Sequence, residues 1–174
     1  MGDAKVGDVL LFRPREDDNV GKGIAFATCG EYCHSARYLG NNKIIEATNG
    51  TVRPGVDLRI MTAADWDLCD AYYSELITKE EIGSILMWEI SKLGCKYDTV
   101  ALAPGWVHSV LGAIFKNKEY QKQAPLFNDP NSYFCSELQA SAYYAILGFE
   151  ICFNIHHKSV NPNDLAYRSF LVKR

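Results

Sequence analysis

The sequence predicts an α+β fold in which an antiparallel sheet packs against helices. Two observations predict it: the first half of the chain holds short β-favouring runs separated by turn residues, and the second half holds segments in which apolar residues recur at helical spacing. The chain has 174 residues, of which 48% are hydrophobic and 22% charged. That balance suits one folded domain spanning residues 1–174.

The first half is predicted to be mostly strands. Five runs of β-favouring residues are bounded by turn residues, at 9–12, 34–39, 43–48, 56–60 and 68–73. Gly40, Asn41 and Asn42 form a turn cluster between the second and third runs, which predicts a β-hairpin there. One or two helical turns are predicted at 21–29, ended by Gly30.

The second half is predicted to hold the longer helices. Thr78 and Glu81 match a capping box, and the helix that follows should end at about Leu93, before Gly94. A second helix is predicted at 135–147, closed by Gly148 in the left-handed conformation. A third, short helix should begin after Asn161 with Pro162 in its first turn and run to about Tyr167.

Residues 99–115 form the longest segment without a formal charge. Pro104 and Gly105 interrupt it, and it is short for a membrane span, so we predict a buried helix pair and no integral membrane segment. The alternative is a surface that faces lipid or a partner. Residues 116–130 are polar and predict a surface loop.

The charge pattern limits the partners and the compartment. Lys and Arg number 18 against 21 Asp and Glu, a net charge of −3, so the chain has no broad basic surface for nucleic acid. Residues 1–8 lack the apolar run of a signal peptide. We therefore expect the protein to be cytoplasmic as synthesised.

Six cysteines permit three disulfides, but a chain of this length is stable without them, and we expect them to be reduced. Cys29, Cys33 and His34 lie close enough in sequence to suggest zinc. No second pair of ligands accompanies them, and the prediction is no metal.

Cys135 is the first candidate for chemistry. It falls in the first turn of the predicted helix at 135–147, where free backbone N–H groups and the helix dipole favour a thiolate. From this position alone, an activated nucleophile and a buried structural cysteine are equally consistent. A nucleophile also requires an imidazole within reach and a third group to orient that imidazole.

His34 and Glu46 can supply those groups. If residues 36–38 pair with 44–46 in the hairpin, His34 and Glu46 lie at the same end of it, close enough for the carboxylate to orient the imidazole. The alternative is two unrelated polar surface residues. His108 is expected in the core, and His156 and His157 in a polar stretch near the C-terminus.

Several stretches together match a known pattern: GDVLLF at 7–12, HSARYLG at 34–40 with IIEAT at 44–48, Tyr97-Asp98, FCSEL at 134–138 and NPNDLA at 161–166. They resemble the circularly permuted branch of the NlpC-type papain-like cysteine hydrolases. In that branch the histidine strand and the polar third residue precede the nucleophile helix, which is the order found here. The resemblance covers nearly the whole chain.

The resemblance implies a papain-like fold, with an antiparallel sheet or small barrel packed on helices. It implies that Cys135 is the nucleophile, His34 the base and Glu46 the residue that orients it, with Tyr97 near the cleft. The reaction would be acyl transfer from an amide, with no metal or organic cofactor. Cys33 departs from the family pattern and could be oxidised against Cys135 if the two approach.

Many NlpC-type enzymes cut cell-wall peptides, so a peptide or peptidoglycan-fragment substrate is expected. Without a signal peptide, the protein would reach murein through lysis, phage delivery or a secretion machine, as an antibacterial effector toxin with an immunity-protein partner. An acyltransferase or thioesterase acting on lipid is the alternative, because permuted relatives similar to lecithin:retinol acyltransferase share this arrangement. A protease acting on a partner protein and a non-enzymatic binding module also stay open.

Overall fold

The computed structural model describes residues 3–50, 54–98, 129 and 131–174. Its strands are β1 (Val9–Phe12), β2 (His34–Gly40), β3 (Lys43–Thr48), β4 (Gly55–Ile60), β5 (Cys69–Tyr73), β6 (Lys96–Tyr97), β7 (Ser132–Tyr133) and β8 (Val172–Lys173). Its helices are α1 (Asn19–Ala27), α2 (Ala63–Leu68), α3 (Lys79–Ile90), α4 (Cys135–Leu147) and α5 (Pro162–Tyr167), with a 3₁₀ turn at His157–Ser159. The fold is therefore α+β, as predicted.

Six strands form one antiparallel sheet in the order β4-β3-β2-β1-β5-β8. The sheet is open, with β4 and β8 at its edges, and the described strands do not close into a barrel. β6 and β7 pair in parallel as a separate two-stranded ribbon. No helix in the described part of the chain is long and apolar enough to cross a membrane.

The central strand β1 is buried on both faces, which explains its uninterrupted apolar sequence. Val9 and Leu11 belong to the core that α3, α4 and the C-terminal segment cover. Leu10 and Phe12 belong to a smaller core on the opposite face, completed by residues that include Met61. Helices therefore cover one face of β1 and β2, and α4 lies against β2.

The two long helices begin where the sequence predicts. Thr78 and Glu81 form a reciprocal capping box at the start of α3, which ends at Ile90, three residues earlier than expected. Gly148 follows α4 with φ of +76°, the left-handed conformation that glycine adopts at low cost. The short helix α5 begins at Pro162 and is capped by the side chain of Asn161.

Other boundaries differ from the prediction. α1 begins at Asn19, because the Asp18 side chain caps it by accepting from the Gly21 N–H at 2.8 Å. The helix α2 was not predicted, although Thr62 and Asp65 form its capping box. The predicted helix pair at 99–115 lies outside the described residues, as does all of the predicted loop at 116–130 except residue 129.

One charged cluster is fully buried between the sheet and the helices. Arg37 on β2 donates from Nη2 to Glu89 Oε1 of α3 at 2.9 Å and from Nη1 to the Tyr143 hydroxyl of α4 at 2.6 Å. Arg37 Nη1 also donates to the Gly7 carbonyl at 3.1 Å. Arg37 and Glu89 are 0% exposed, so this cluster joins β2, α3 and α4 within the core.

Candidate active site

The β2–β3 hairpin brings His34 and Glu46 together. The strands pair with Arg37 opposite Ile45 and Tyr38 opposite Ile44, which is the predicted register. His34 Nε2 lies 2.7 Å from Glu46 Oε2, and the Glu46 side chain is only 5% exposed. The carboxylate is therefore placed to fix the orientation of the imidazole ring.

Cys135 is the first residue of α4, and it faces the same imidazole. The residue is 6% exposed, and its sulfur is hydrogen-bonded to His34. Because Glu46 occupies Nε2, Nδ1 is the ring nitrogen left for the sulfur. The Phe12 ring packs beside the imidazole, with 5.7 Å between ring centroids. The three residues named from the sequence thus form one connected row.

The electrostatics of this row favour a thiolate–imidazolium pair. Burial alone would raise the pKa of Cys135, but the charge of His34, its hydrogen bond and the backbone N–H groups of Ser35 and Ser136 lower it below its usual value. Burial alone would lower the pKa of His34, whereas Cys135 and Glu46 raise it to about 10. The thiolate is therefore favoured at Cys135 more than at a free cysteine.

Glu46 is itself held by a network that sequence reasoning missed. Arg59 on β4 donates from Nε to Glu46 Oε1 at 2.7 Å and from Nη1 to Asp65 Oδ2 at 2.7 Å. Arg15 reaches the other oxygen of Asp65 at 3.1 Å. Burial would raise the pKa of Glu46, but His34 and Arg59 lower it to about 2. The carboxylate consequently remains ionised.

Pairing of β3 with β4 would have revealed Arg59. Glu46 lies opposite Asp57, so Arg59 is its diagonal neighbour on the same face of the sheet. The sequence shows that residues 57 and 59 lie on the same face of a strand. It does not show which residues of β3 they face, because the connection between the two strands does not fix the pairing.

Tyr97 lies close enough to Cys135 for the charge of the sulfur to affect its pKa. It is half-buried on β6, next to the strand β7 that leads into α4. Burial, together with the negative charges of Cys135, Asp98 and Glu137, raises the pKa of Tyr97. Its hydroxyl therefore keeps its proton and can donate a hydrogen bond.

Ser136 and Glu137 stabilise the start of α4. Ser136 donates to the Val160 carbonyl at 2.6 Å. Glu137 accepts from the Phe134 N–H at 3.2 Å and pairs with Lys158 at 3.4 Å. Burial raises the pKa of Glu137 to about 7, although Lys158 opposes this shift. Both side chains therefore stabilise the helix terminus.

All six cysteines are free thiols. Burial and the charges of Asp18 and Cys135 raise the pKa of Cys33 to about 12, so this neighbour keeps its proton when Cys135 loses its own. Among the residues that the structure describes, Cys29, Cys33 and His34 do not form a group with converging metal ligands. His108 lies outside the described residues.

The lowered pKa of Cys135 predicts an unusual pH profile for its alkylation by iodoacetamide. A free cysteine reacts about tenfold more slowly for each pH unit below its pKa of about 8.5. The rate at Cys135 should instead fall less steeply from pH 9 to neutral pH, because the lowered pKa keeps more of the sulfur as thiolate there. Mass spectrometry that resolves the labelled site gives the rate. In the His34→Ala variant the steep profile should return, and a steep profile in the unmodified chain would contradict the ion pair.

Removal of Glu46 should have a smaller effect than removal of His34. The Glu46→Gln side chain can still accept from the His34 ring N–H, whereas His34→Ala removes both the base and the partner of the thiolate. We expect Glu46→Gln to slow Cys135 alkylation at neutral pH and His34→Ala to slow it further. Asp57→Asn, on the strand beside Glu46, is the matched control. If Glu46→Gln and His34→Ala slowed alkylation equally, the orientation of the His34 ring by Glu46 would matter as much as the ring itself.

No family model matches this chain, and no curated protein matches it. Among solved structures it is similar to the crystal structure of metalloprotein yiiX from Escherichia coli O157:H7 (DUF1105), with 13% sequence identity and a TM-score of 0.59. The similarity covers 99% of this chain and 97% of that one. At this identity the likeness concerns the fold.

Proposed function

We propose that this protein is a papain-like cysteine hydrolase of the circularly permuted NlpC type, which cleaves an amide bond with Cys135, His34 and Glu46. The observation that carries the proposal is the connected row in which the Cys135 sulfur meets His34 and His34 Nε2 meets Glu46 at 2.7 Å. A buried structural cysteine would not require a charged imidazole beside it. Nor would it require a buried carboxylate that Arg59 holds ionised.

In the first step the Cys135 thiolate attacks the carbonyl carbon of the amide. The carbonyl π electrons move to oxygen, and the resulting oxyanion is placed near the first turn of α4. The N–H of Cys135 has no partner within its own helix and can donate to that oxyanion. The imidazolium of His34 then protonates the leaving nitrogen as the C–N bond breaks, which leaves a thioester on Cys135.

In the second step His34, now neutral, accepts a proton from water, and the hydroxide attacks the thioester carbonyl. The C–S bond breaks, the carboxylic acid product leaves, and Cys135 again carries the thiolate. Glu46 stays ionised throughout and keeps the ring in one orientation. Tyr97, whose hydroxyl keeps its proton, is a candidate to contact the substrate beside the sulfur.

Cell-wall peptides are the proposed substrate, because the resemblance is to enzymes that cut them. Murein lies outside the cytoplasmic membrane, so the proposal includes delivery by lysis, a phage or a secretion machine to the compartment where murein lies. Expression in a bacterium tests it: the chain fused to an export signal should lyse or round the cells, and the unfused chain should not. The Cys135→Ala form should be silent in both compartments.

Mass spectrometry of murein fragments provides the direct readout. Newly cleaved peptide stems should accumulate only with the exported, active chain. Equal growth of exported active and exported Cys135→Ala cells, with intact murein peptides, would remove the cell wall as the substrate. The alkylation profile of Cys135 would still report whether the site itself is assembled.

A second candidate, acyl transfer from lipid, is favoured by two exposed apolar side chains near the candidate site. Val20 and Phe26 on α1 are each 75% exposed, although both are apolar. Gly21 of the same helix lies against the sulfur of Cys33, the residue before His34, so α1 flanks the candidate site. This candidate predicts lipid remodelling or toxicity from the unexported chain, and liposome binding that Val20→Ser and Phe26→Ser weaken.

A further inference from the structure

A second cluster of chemically active side chains lies at the other end of α4. Glu150 follows the helix, and His156 and His157 lead into the 3₁₀ turn. One potential ligand atom from each of these three side chains lies within 4.8 Å of the other two. The ligand atoms come from two separate stretches of chain that the fold brings together.

We propose that Glu150, His156 and His157 bind a divalent transition-metal ion of the zinc class. Two imidazoles and one carboxylate form a ligand set that suits zinc, with the fourth position left to water. Tetrahedral zinc with bonds of about 2.0–2.2 Å places its ligand atoms roughly 3.3 Å apart. The three ligand atoms, now within 4.8 Å of one another, would move closer to reach that spacing.

The hydrogen bonds of the cluster identify the atoms that would bind. His157 Nδ1 lies 2.9 Å from Glu150 Oε1, and the ion would take the place of the proton between them. His156 Nδ1 accepts from the Lys158 N–H at 3.3 Å, which leaves Nε2 for the ion. The stacked rings of His156 and His157, with centroids 4.2 Å apart, would open slightly to converge on it.

Two further observations favour a ligand at this point. The Oε2 atom of Glu150 is shielded from solvent and has no hydrogen-bond partner, a costly arrangement that coordination or a rotation toward the ion would relieve. The His157 ring also stacks on Tyr144 of α4, with centroids 4.3 Å apart, which fixes its orientation before any ion arrives. Pre-oriented ligands lower the cost of binding.

The ion would join Glu150, just after α4, to the 3₁₀ turn that packs against the helix. Lys158, directly after the two histidines, pairs with Glu137 in the first turn of α4, and the Val160 carbonyl accepts from Ser136. The same segment therefore contacts both the metal ligands and the turn that carries Cys135. This inference does not depend on the proposed hydrolase activity.

Zinc binding to the full chain tests the inference. The Cys135→Ala form is used so that the reactive thiol does not compete, and metal is first removed with a chelator. Competition titration with Zn²⁺ should show one site. X-ray absorption at one equivalent should show only nitrogen and oxygen ligands, with the signature of imidazole. Mg²⁺ should not compete, and saturating Zn²⁺ should raise the unfolding temperature.

Ligand variants decide the position of the site. Glu150→Gln and His156→Asn should each weaken zinc binding by more than the roughly 10- to 100-fold that loss of an outer-shell partner costs. Glu80→Gln, an exposed carboxylate on α3, should leave the affinity unchanged. Metal-free unfolding temperatures equal to that of the parent would exclude misfolding of the variants. The inference would be overturned if the parent bound no zinc or if X-ray absorption showed sulfur ligands. It would also be overturned if both ligand variants bound zinc as tightly as the parent.

Discussion

Cys135→Ala should abolish amide cleavage while leaving the fold intact. Removal of a nucleophile that acts with a histidine costs about 10⁴-fold or more in rate, because the remaining groups have no covalent intermediate to stabilise. The packing cost is small, since a buried thiol is exchanged for a methyl group, and we expect a loss of about 1 kcal/mol in unfolding free energy. Murein-fragment release and chemical denaturation measure the two effects.

The other cysteines provide the controls for that substitution. Cys152 is 1% exposed, and burial raises the pKa of its thiol, so it is not an activated nucleophile. The Cys152→Ala variant should therefore keep full activity after correction for stability. Cys95→Ala should do the same. If a thiol-reactive probe labels Cys95 or Cys152 faster than Cys135 in the native protein, Cys135 is not the nucleophile.

The core of the candidate site was predictable because its geometry is local. His34 and Glu46 are joined by one short hairpin, so the turn at 40–42 fixes their register. The position of Cys135 at a helix start follows from Gly148 at the other end and the apolar spacing between them. The prediction that Cys135 lies beside His34 in space came only from the resemblance to the cysteine hydrolases.

Some residues of the site and of the core could not be predicted from the sequence. They depend on strand pairing between distant segments, or they are charged residues that are buried, which is rare. Arg59 required the pairing of β3 with β4, and Asp65 required the short helix α2, which lies between two predicted strands where no element was predicted. Arg37 was missed as a core residue because charged side chains are seldom buried. Its partners, Glu89 and Tyr143, lie 52 and 106 residues away along the chain, beyond the reach of local patterns.

Breaking the buried Arg37–Glu89 pair should be the most destabilising substitution away from the site. Arg37→Met leaves the Glu89 carboxylate in the core without its partner and removes the bonds to Tyr143 and to the Gly7 carbonyl. One-sided removal of a buried ion pair costs about 3–5 kcal/mol. Small domains are stable by only about 5–15 kcal/mol, so denaturant midpoints should fall sharply. A loss below about 1 kcal/mol would show that water reaches Glu89.

The double substitution Arg37→Met with Glu89→Met separates stability from geometry. Apolar side chains of similar volume remove both charges, so much of the lost stability should return. Arg37 lies three residues after His34 on β2, and its partner Tyr143 lies two turns after Cys135 on α4, so the ionic cluster sets how those two elements meet. Met side chains pack without such directional bonds, and the alkylation rate of Cys135 at neutral pH should therefore fall even where stability recovers. Full recovery of both would mean that the buried charges stabilise the core without positioning the thiol and the imidazole.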